Sequence, residues 1–219
     1  MEDSNNRKKT SEEYKKRGQQ FIEKLHYTKA GEAFKKAIAI EPFCFTSHLS
    51  LGICLKKTGW YKEATEEFKQ ALNIDPTNAC AHENLAIVLF LQQNFKESEI
   101  EHKKAIQLDI NYAYAYMNLG ILYKTLGKDD EALKMFQKAV FLDPDSPKTF
   151  YHLGLHLEKL NIHELAEENY QKSISLDDNY LPVRKSYQNL LIKMGKPLES
   201  EQEYLYYINA RSKKVIKKK

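Results

Sequence analysis

Cysteine is scarce in this sequence, and the three cysteines are isolated from one another. Cys44, Cys54 and Cys80 are the only ones in 219 residues, and no two of them form a CxxC pair. An odd number of separated cysteines is typical of reduced thiols, and it does not fit a disulfide framework or a zinc site. We therefore expect a cytoplasmic protein.

Long apolar segments are absent as well. The first residues, MEDSNNRKKTSEEYKKR, are polar and charged, which does not fit a signal peptide. No uncharged apolar run approaches the roughly 20 residues that a membrane-spanning helix needs. We expect neither a signal peptide nor a transmembrane helix.

Motifs of catalysis are also missing. The sequence has no glycine-rich phosphate loop, no GxSxG motif and no cysteine with an assignable histidine partner. His152 and His156 lie one helical turn apart, a spacing that can bind a metal, but no third ligand and no HExxH motif accompanies them. We predict a non-enzymatic protein without cofactor or metal, in which these histidines pack or lie at the surface.

What the sequence does contain is a repeat of 34 residues. Glycine and proline are few (8 and 6), 42% of the residues are hydrophobic and 29% are charged, as in helical proteins. Six windows follow one another without insertion: 11–44, 45–78, 79–112, 113–146, 147–180 and 181–214. We predict one domain of six repeats, a disordered segment at residues 1–10 and a basic tail at residues 215–219.

Three positions of the repeat carry the pattern. The eighth is small in five windows: Gly18, Gly52, Ala86, Gly120 and Gly154. The twentieth is small in all six: Ala30, Ala64, Ser98, Ala132, Ala166 and Ser200. The twenty-fourth is aromatic in five: Phe34, Phe68, Phe136, Tyr170 and Tyr204. We expect small residues to let two helices approach and the aromatic ring to fill the space towards the next repeat. His102, at this position in the third window, is predicted to be a hydrogen-bonded core histidine.

Each window divides into two amphipathic segments, such as residues 113–126 and 130–142. The first segment ends at a residue type that favours the left-handed conformation: Gly59, Gly127, Asn161 and Gly195. The second segment ends before a proline, which cannot continue a helix, at Pro42, Pro76 and Pro144. Pro197 can begin the last second helix.

This pattern resembles the tetratricopeptide repeat (TPR) family over nearly the whole chain. The resemblance implies an all-α fold, a right-handed superhelical solenoid of antiparallel helix pairs, that serves as a protein–protein interaction scaffold. From Ser200 onward we predict a C-terminal capping helix that runs past the normal repeat length and covers the end of the stack with an apolar stripe: Tyr204, Tyr207, Ile208 and Val215.

The resemblance also implies a binding site. In the TPR family, ligand contacts come mainly from the second, fifth, sixth, ninth, twelfth and thirteenth residues of the repeat, in a concave groove that holds a peptide. Carried over, the predicted contact residues are Leu49, Ile53, Asn84, Ile87, Phe90, Tyr114, Met117, Asn118, Ile121, Lys124, Lys148, Tyr151 and Leu155. Further lysines edge this strip, at Lys56, Lys57 and Lys159. The alternative is that some of these residues only pack between adjacent first helices.

Two known TPR binding devices can be compared with the sequence. Asn84 and Asn118 share the sixth position, and the segment AHENLA around Asn84 resembles repeats of O-linked N-acetylglucosamine transferase, in which an asparagine ladder is known. An amide can both donate to and accept from a peptide backbone. The carboxylate clamp for chaperone C-termini is matched only partly, at Asn118, Lys148 and His152. Glu83, which stands where the clamp needs lysine, would repel a carboxylate, so we do not expect the clamp.

Basic charge is concentrated at the C-terminus. The formal net charge is +4, but six of the 34 lysines and arginines lie among the last nine residues. Such a tail could bind nucleic acid or an anionic membrane surface, or it could be a solvated end that aids solubility. We favour the solvated end and do not expect nucleic acid as a partner. Self-assembly into a homo-oligomer through the strip or the chain ends is a further alternative.

Overall fold

The computed structural model describes the backbone of residues 2–216 and the side chains of residues 10–208. In this part of the chain the structure consists of twelve α-helices and has no strand. They are α1 (Glu2–Glu23), α2 (Tyr27–Ile40), α3 (Phe45–Thr58), α4 (Tyr61–Ile74), α5 (Ala79–Leu91), α6 (Phe95–Leu108), α7 (Ala113–Thr125), α8 (Asp129–Leu142), α9 (Pro147–Lys159), α10 (His163–Leu176), α11 (Leu181–Lys193) and α12 (Pro197–Ile216). No described helix is long and apolar enough to cross a membrane.

The chain divides into two compact halves, an N-terminal half (Met1–Ile110) with α1–α6 and a C-terminal half (Asn111–Lys219) with α7–α12. Within each half, consecutive helices pack in pairs, and the second helix of a pair also packs against the first helix of the next. The predicted all-α architecture of repeated helix pairs is confirmed.

A glycine and an aromatic ring meet inside most of these pairs. A Cβ atom on Gly52 would lie 2.6 Å from the ring of Phe68, and one on Gly120 would lie 2.8 Å from the ring of Phe136. Contacts this short are not tolerated between carbon atoms, so the two helices can approach this closely only because glycine has no side chain. The expected role of the eighth position is therefore confirmed.

The third repeat uses a different combination at the same place. Ala86 stands in the position of the glycine, and the smaller ring of His102 replaces the aromatic side chain. Ser98 Oγ donates to the backbone oxygen of Ala86 at 2.8 Å, which joins α5 to α6. The methyl group of Ala86, which glycine lacks, is accommodated because the ring of His102 is smaller than that of phenylalanine or tyrosine.

The first helices end as the sequence predicts. Gly59, Gly127 and Gly195 have left-handed φ angles of +86°, +73° and +72°, and Asn161 has φ +60°. The equivalent residues of the first and third repeats, Leu25 and Gln93, adopt the same conformation with φ +58° and +64°. Left-handed backbone costs a residue with a Cβ atom about 1–2 kcal/mol, so these two ends are strained.

Gln93→Gly is expected to stabilise the N-terminal half by about 0.5–1 kcal/mol, because relief of the left-handed strain exceeds the entropy that glycine loses on folding. The side chain of Gln93 is exposed, so little packing is lost. The urea midpoint measures the change. Gly127→Gln is the reverse control and should lower the urea midpoint. A lower midpoint for Gln93→Gly would show that the left-handed backbone at Gln93 is not strained.

Both chain ends differ in part from expectation. The backbone of residues 2–10 belongs to α1, where the sequence predicts a disordered segment; no glycine or proline precedes Gly18 to interrupt a helix. The last helix begins at Pro197 as predicted and has 20 residues, against 14 in α4. However, Tyr204 and Ile208 are 46% and 39% exposed, so this part of the predicted stripe does not enter the core. Val215 and the basic tail lie outside the described side chains.

Candidate functional site

The predicted contact residues lie on the first helices of the central repeats. We define the N-terminal face, on α3 and α5, as Leu49, Ile53, Asn84, Ile87 and Phe90. We define the C-terminal face, on α7 and α9, as Tyr114, Met117, Asn118, Ile121, Lys124, Lys148, Tyr151 and Leu155. Each face belongs to one half of the chain.

On the N-terminal face, Asn84 is engaged by the protein itself. Lys56 Nζ on α3 donates to Asn84 Oδ1 at 2.6 Å, and Asn84 Nδ2 donates to the backbone oxygen of Cys80 at 2.8 Å. Burial lowers the pKa of Lys56. The amide therefore ties α3 to α5, and a bound peptide backbone would have to displace these contacts.

Packing also accounts for other residues of the N-terminal face. Leu49 and Ile53 are partly buried against the core cluster that contains Phe68 and Leu85. The ring centroid of Phe90 lies 5.7 Å from that of Phe95, the first residue of α6. The alternative interpretation, that these residues serve packing between helices, fits this face.

A buried histidine–glutamate contact joins α5 to α6. His102 Nδ1 is 2.8 Å from Glu83 Oε2, and the two side chains are 1% and 3% exposed. The prediction that His102 is a hydrogen-bonded core histidine is confirmed. Glu83 was expected to repel a carboxylate ligand from the groove, but it is buried against α6 and does not line a surface.

The C-terminal face is held together by polar and aromatic contacts. Lys148 Nζ donates to Tyr114 Oη at 2.9 Å and lies 5.5 Å from the centroid of that ring, which joins α9 to α7. Tyr151 Oη lies 3.3 Å from Ser186 Oγ, which joins α9 to α11. Tyr114 remains 38% exposed, and Ile121, Tyr151 and Leu155 are half-buried.

Met117 does not belong to the accessible part of this face. Only 4% of its surface is exposed, although its repeat position predicts a side chain that is free of packing. A long unbranched thioether side chain adapts easily to irregular space in a core. The prediction of Met117 as a surface anchor therefore needs correction.

The C-terminal face is electropositive. His152 lies beside it, and burial together with the neighbouring Lys124 and Lys148 lowers the pKa of His152 to about 4. The Nδ1 atom of His152 is buried and has no hydrogen-bond partner. Burial lowers the pKa of Lys124 as well, and the positive charge of Lys159 lowers it further.

The histidine gives the C-terminal half a specific pH dependence. Since the pKa of His152 is lowered from 6.5 to about 4, the unfolded chain binds a proton below pH 6.5 that the folded chain does not. His152 therefore leaves the free energy of unfolding unchanged above pH 6.5 and lowers it as the pH falls from 6.5 towards 4. Between pH 7 and 4.5, the free energy of unfolding, measured in urea, should fall on the order of 2 kcal/mol more for wild type than for His152→Asn. Parallel pH profiles for the two proteins would exclude this role for His152.

The neighbouring His156 is a packing residue, as predicted. It is fully buried, its ring lies 5.4 Å from that of Phe136, and its Nε2 donates to the backbone oxygen of Asp129 at 2.9 Å. Among the side chains of residues 10–208, no group of three or more potential ligands could hold a metal ion.

One periodic contact was missed by the sequence reasoning. His48 Nδ1 is 2.7 Å from Glu67 Oε2, and His82 Nδ1 is 2.5 Å from Glu101 Oε2 in the next repeat. In the sixth repeat, Arg184 forms the equivalent pair with Glu203. Each pair ties the first helix of a repeat to the second. The signal was available, because the histidines and the glutamates each recur 34 residues apart.

Comparisons with known proteins agree with this architecture. Tetratricopeptide repeat models match residues 77–142 and 117–180, and a TPR repeat model matches residues 55–93. The three matches together extend over residues 55–180, more than half of the chain. A search against curated proteins found no significant match.

Many solved structures are similar. The crystal structure of MamA protein is 25% identical over 77% of this chain and 92% of that chain, with a TM-score of 0.63. PilF of Pseudomonas aeruginosa is 20% identical over 95% of this chain and 99% of its own, with a TM-score of 0.76. A thermophilic TPR protein of Thermus thermophilus, TTC0263, is 20% identical over 83% and 99%, with a TM-score of 0.73. Likeness to the last two concerns the fold alone. With its helix pairs, its glycine–aromatic contacts and these matches, the chain belongs to the tetratricopeptide repeat family.

Proposed function

We propose that this protein is a non-enzymatic scaffold or adaptor that binds a peptide segment of a partner protein on the first helices of its repeats. Its TPR fold supports a role in protein interaction. A cytoplasmic location is part of the proposal and is supported by three cysteines that are free in the structure.

The C-terminal face carries this proposal. Gly120 and Leu122 of α7 face the interior, where Leu122 is fully buried. Tyr114 on the same helix keeps apolar surface accessible, and so do Ile121 and, on α9, Leu155. Partly exposed apolar side chains on two adjacent helices, with polar groups between them, provide anchors for an extended or helical peptide.

Modest affinity is expected. A flexible segment loses conformational freedom when it binds, and this entropy loss offsets much of the contact free energy. The N-terminal face is less suited to such binding as the structure stands, because Asn84 is bonded to Lys56 and Cys80 and because Leu49 and Ile53 pack against the core.

A display library of linear 12-residue peptides tests the proposal without knowledge of the partner. Peptides selected on wild type should lose binding to the double variant Ile121→Glu/Leu155→Glu, since the two carboxylates place charge in the apolar surface. Leu165→Glu is the matched control, because Leu165 is 47% exposed on α10 and away from the face. Circular dichroism verifies that the helices are retained. If selected peptides bind the double variant and the control equally well, the C-terminal face is not the binding site.

A further inference from the structure

One lysine of the C-terminal face stands out by its lack of an acceptor. Lys124, near the end of α7, is half-buried, and no hydrogen bond or ion pair reaches its ammonium group from any described side chain. Its neighbours are satisfied: Lys159 pairs with Asp129, and Lys148 donates to Tyr114 Oη. The nitrogen is not among the fully buried polar atoms, so water reaches it, but no described side chain offsets its positive charge.

The second repeat shows how the same position is satisfied elsewhere in this chain. Lys56 holds the twelfth place of its repeat, as Lys124 does, and donates to the amide oxygen of Asn84 in the following repeat. The residue equivalent to Asn84 after Lys124 is His152. Exchange of an amide for an imidazole removes the carbonyl acceptor, so the lysine of the C-terminal face lacks the contact that its counterpart has.

The surroundings of Lys124 do not provide a substitute. The positive charge of Lys159 lowers the pKa of Lys124, and Lys124 and Lys148 both lower the pKa of His152. Asp129, a carboxylate on the adjoining α8, is engaged by Lys159. His152 has its own Nδ1 atom buried without a partner. Positive charge therefore accumulates on this face, and an acidic group would complement it.

We propose that Lys124 binds the side-chain carboxylate of an aspartate or glutamate in the partner segment that lies on the C-terminal face. This inference rests on the proposed peptide binding and names the chemistry of the partner. Partly exposed apolar side chains lie on both helices of this face, Ile121 one turn before Lys124 on α7 and Leu155 on the adjacent α9. Apolar anchors on two helices fit an acidic residue within a segment better than a free carboxyl terminus.

A ligand-free measurement tests the premise first. Lys124→Met removes an ammonium group that has no acceptor in the protein and should therefore not lower the apparent melting temperature. Lys56→Met removes the partner of Asn84 and should lower it. Equal destabilisation by both variants would show that Lys124 has an acceptor in solution and would overturn the inference.

Peptides selected from the display library on wild type then test the ligand. They should be enriched in aspartate or glutamate next to apolar residues. In fluorescence anisotropy, the best peptide should bind Lys124→Met about three- to tenfold more weakly than wild type, whereas its Glu→Gln form should bind both equally. A Glu→Lys form should prefer Lys124→Glu. Lys134→Glu, at an exposed position on α8, is the control and should behave as wild type.

The outcomes separate the two proposals. If no peptide is enriched on wild type, both peptide binding and the acidic ligand are contradicted. If peptides bind the C-terminal face but show no acidic enrichment, or bind Lys124→Met as tightly as wild type, only the acidic ligand is wrong. C-terminally amidated peptides should bind as tightly as free acids; loss of binding on amidation would instead identify a terminal carboxylate and overturn the proposal.

Discussion

His102→Leu is expected to destabilise the N-terminal half by about 3 kcal/mol, because it leaves the buried carboxylate of Glu83 without its histidine. The two side chains are almost fully excluded from solvent, and a buried polar group that loses its hydrogen-bond partner typically costs about 1–3 kcal/mol, with larger values for a charged group. Urea unfolding, monitored by circular dichroism, measures the loss.

The double variant Glu83→Leu/His102→Leu is the matched control for that experiment. Replacement of both partners by apolar residues removes the desolvation penalty together with the attraction, so the double variant should be markedly more stable than His102→Leu alone. Additive losses would mean that the two residues act independently and that the pair is not coupled.

Gly120→Ala is expected to destabilise the C-terminal half by about 1–3 kcal/mol through overpacking. Within a helix, exchange of glycine for alanine ordinarily stabilises by up to about 1 kcal/mol. Here the new Cβ atom would lie 2.8 Å from the ring of Phe136, which is fully buried and has little room to move. The sign of the effect is thus reversed by the close approach of the two helices.

Gly31→Ala provides the contrast. Gly31 also lies in a helix, but the nearest atom to an added Cβ is Leu51 Cδ1 at 3.5 Å, an ordinary contact distance. This variant should therefore gain stability. Thermal or urea midpoints of both variants measure the difference. If Gly120→Ala raised the midpoint as much as Gly31→Ala, the contact between Gly120 and Phe136 would not constrain packing.

The helix pairs could be predicted from sequence because the constraints that form them are local and repeated. Proline after the second helices, glycine or asparagine after the first, and the glycine–aromatic pair at fixed positions each determine backbone geometry. Leu25 and Gln93 escaped prediction because there the repeat position, and not the residue type, imposes the left-handed backbone.

The candidate site was predictable only in outline. The family pattern identified the helices that bear it, but the environment of each side chain depends on the next repeat. The sequence of one repeat does not show that Asn84 accepts a hydrogen bond from Lys56 of the preceding repeat. It also does not show that the side chain of Met117 is buried. For the same reason the lack of an acceptor at Lys124 became visible only when two repeats of the chain could be compared in three dimensions.

Binding at the C-terminal face is most directly observed by nuclear magnetic resonance of the labelled protein during titration with a peptide selected on wild type. We predict that backbone amide shifts concentrate on α7 and α9, around Ile121, Lys124 and Leu155, and that they disappear in the Ile121→Glu/Leu155→Glu variant. Shifts confined to the second helices α8 and α10, or to α12, would contradict peptide binding by the first helices.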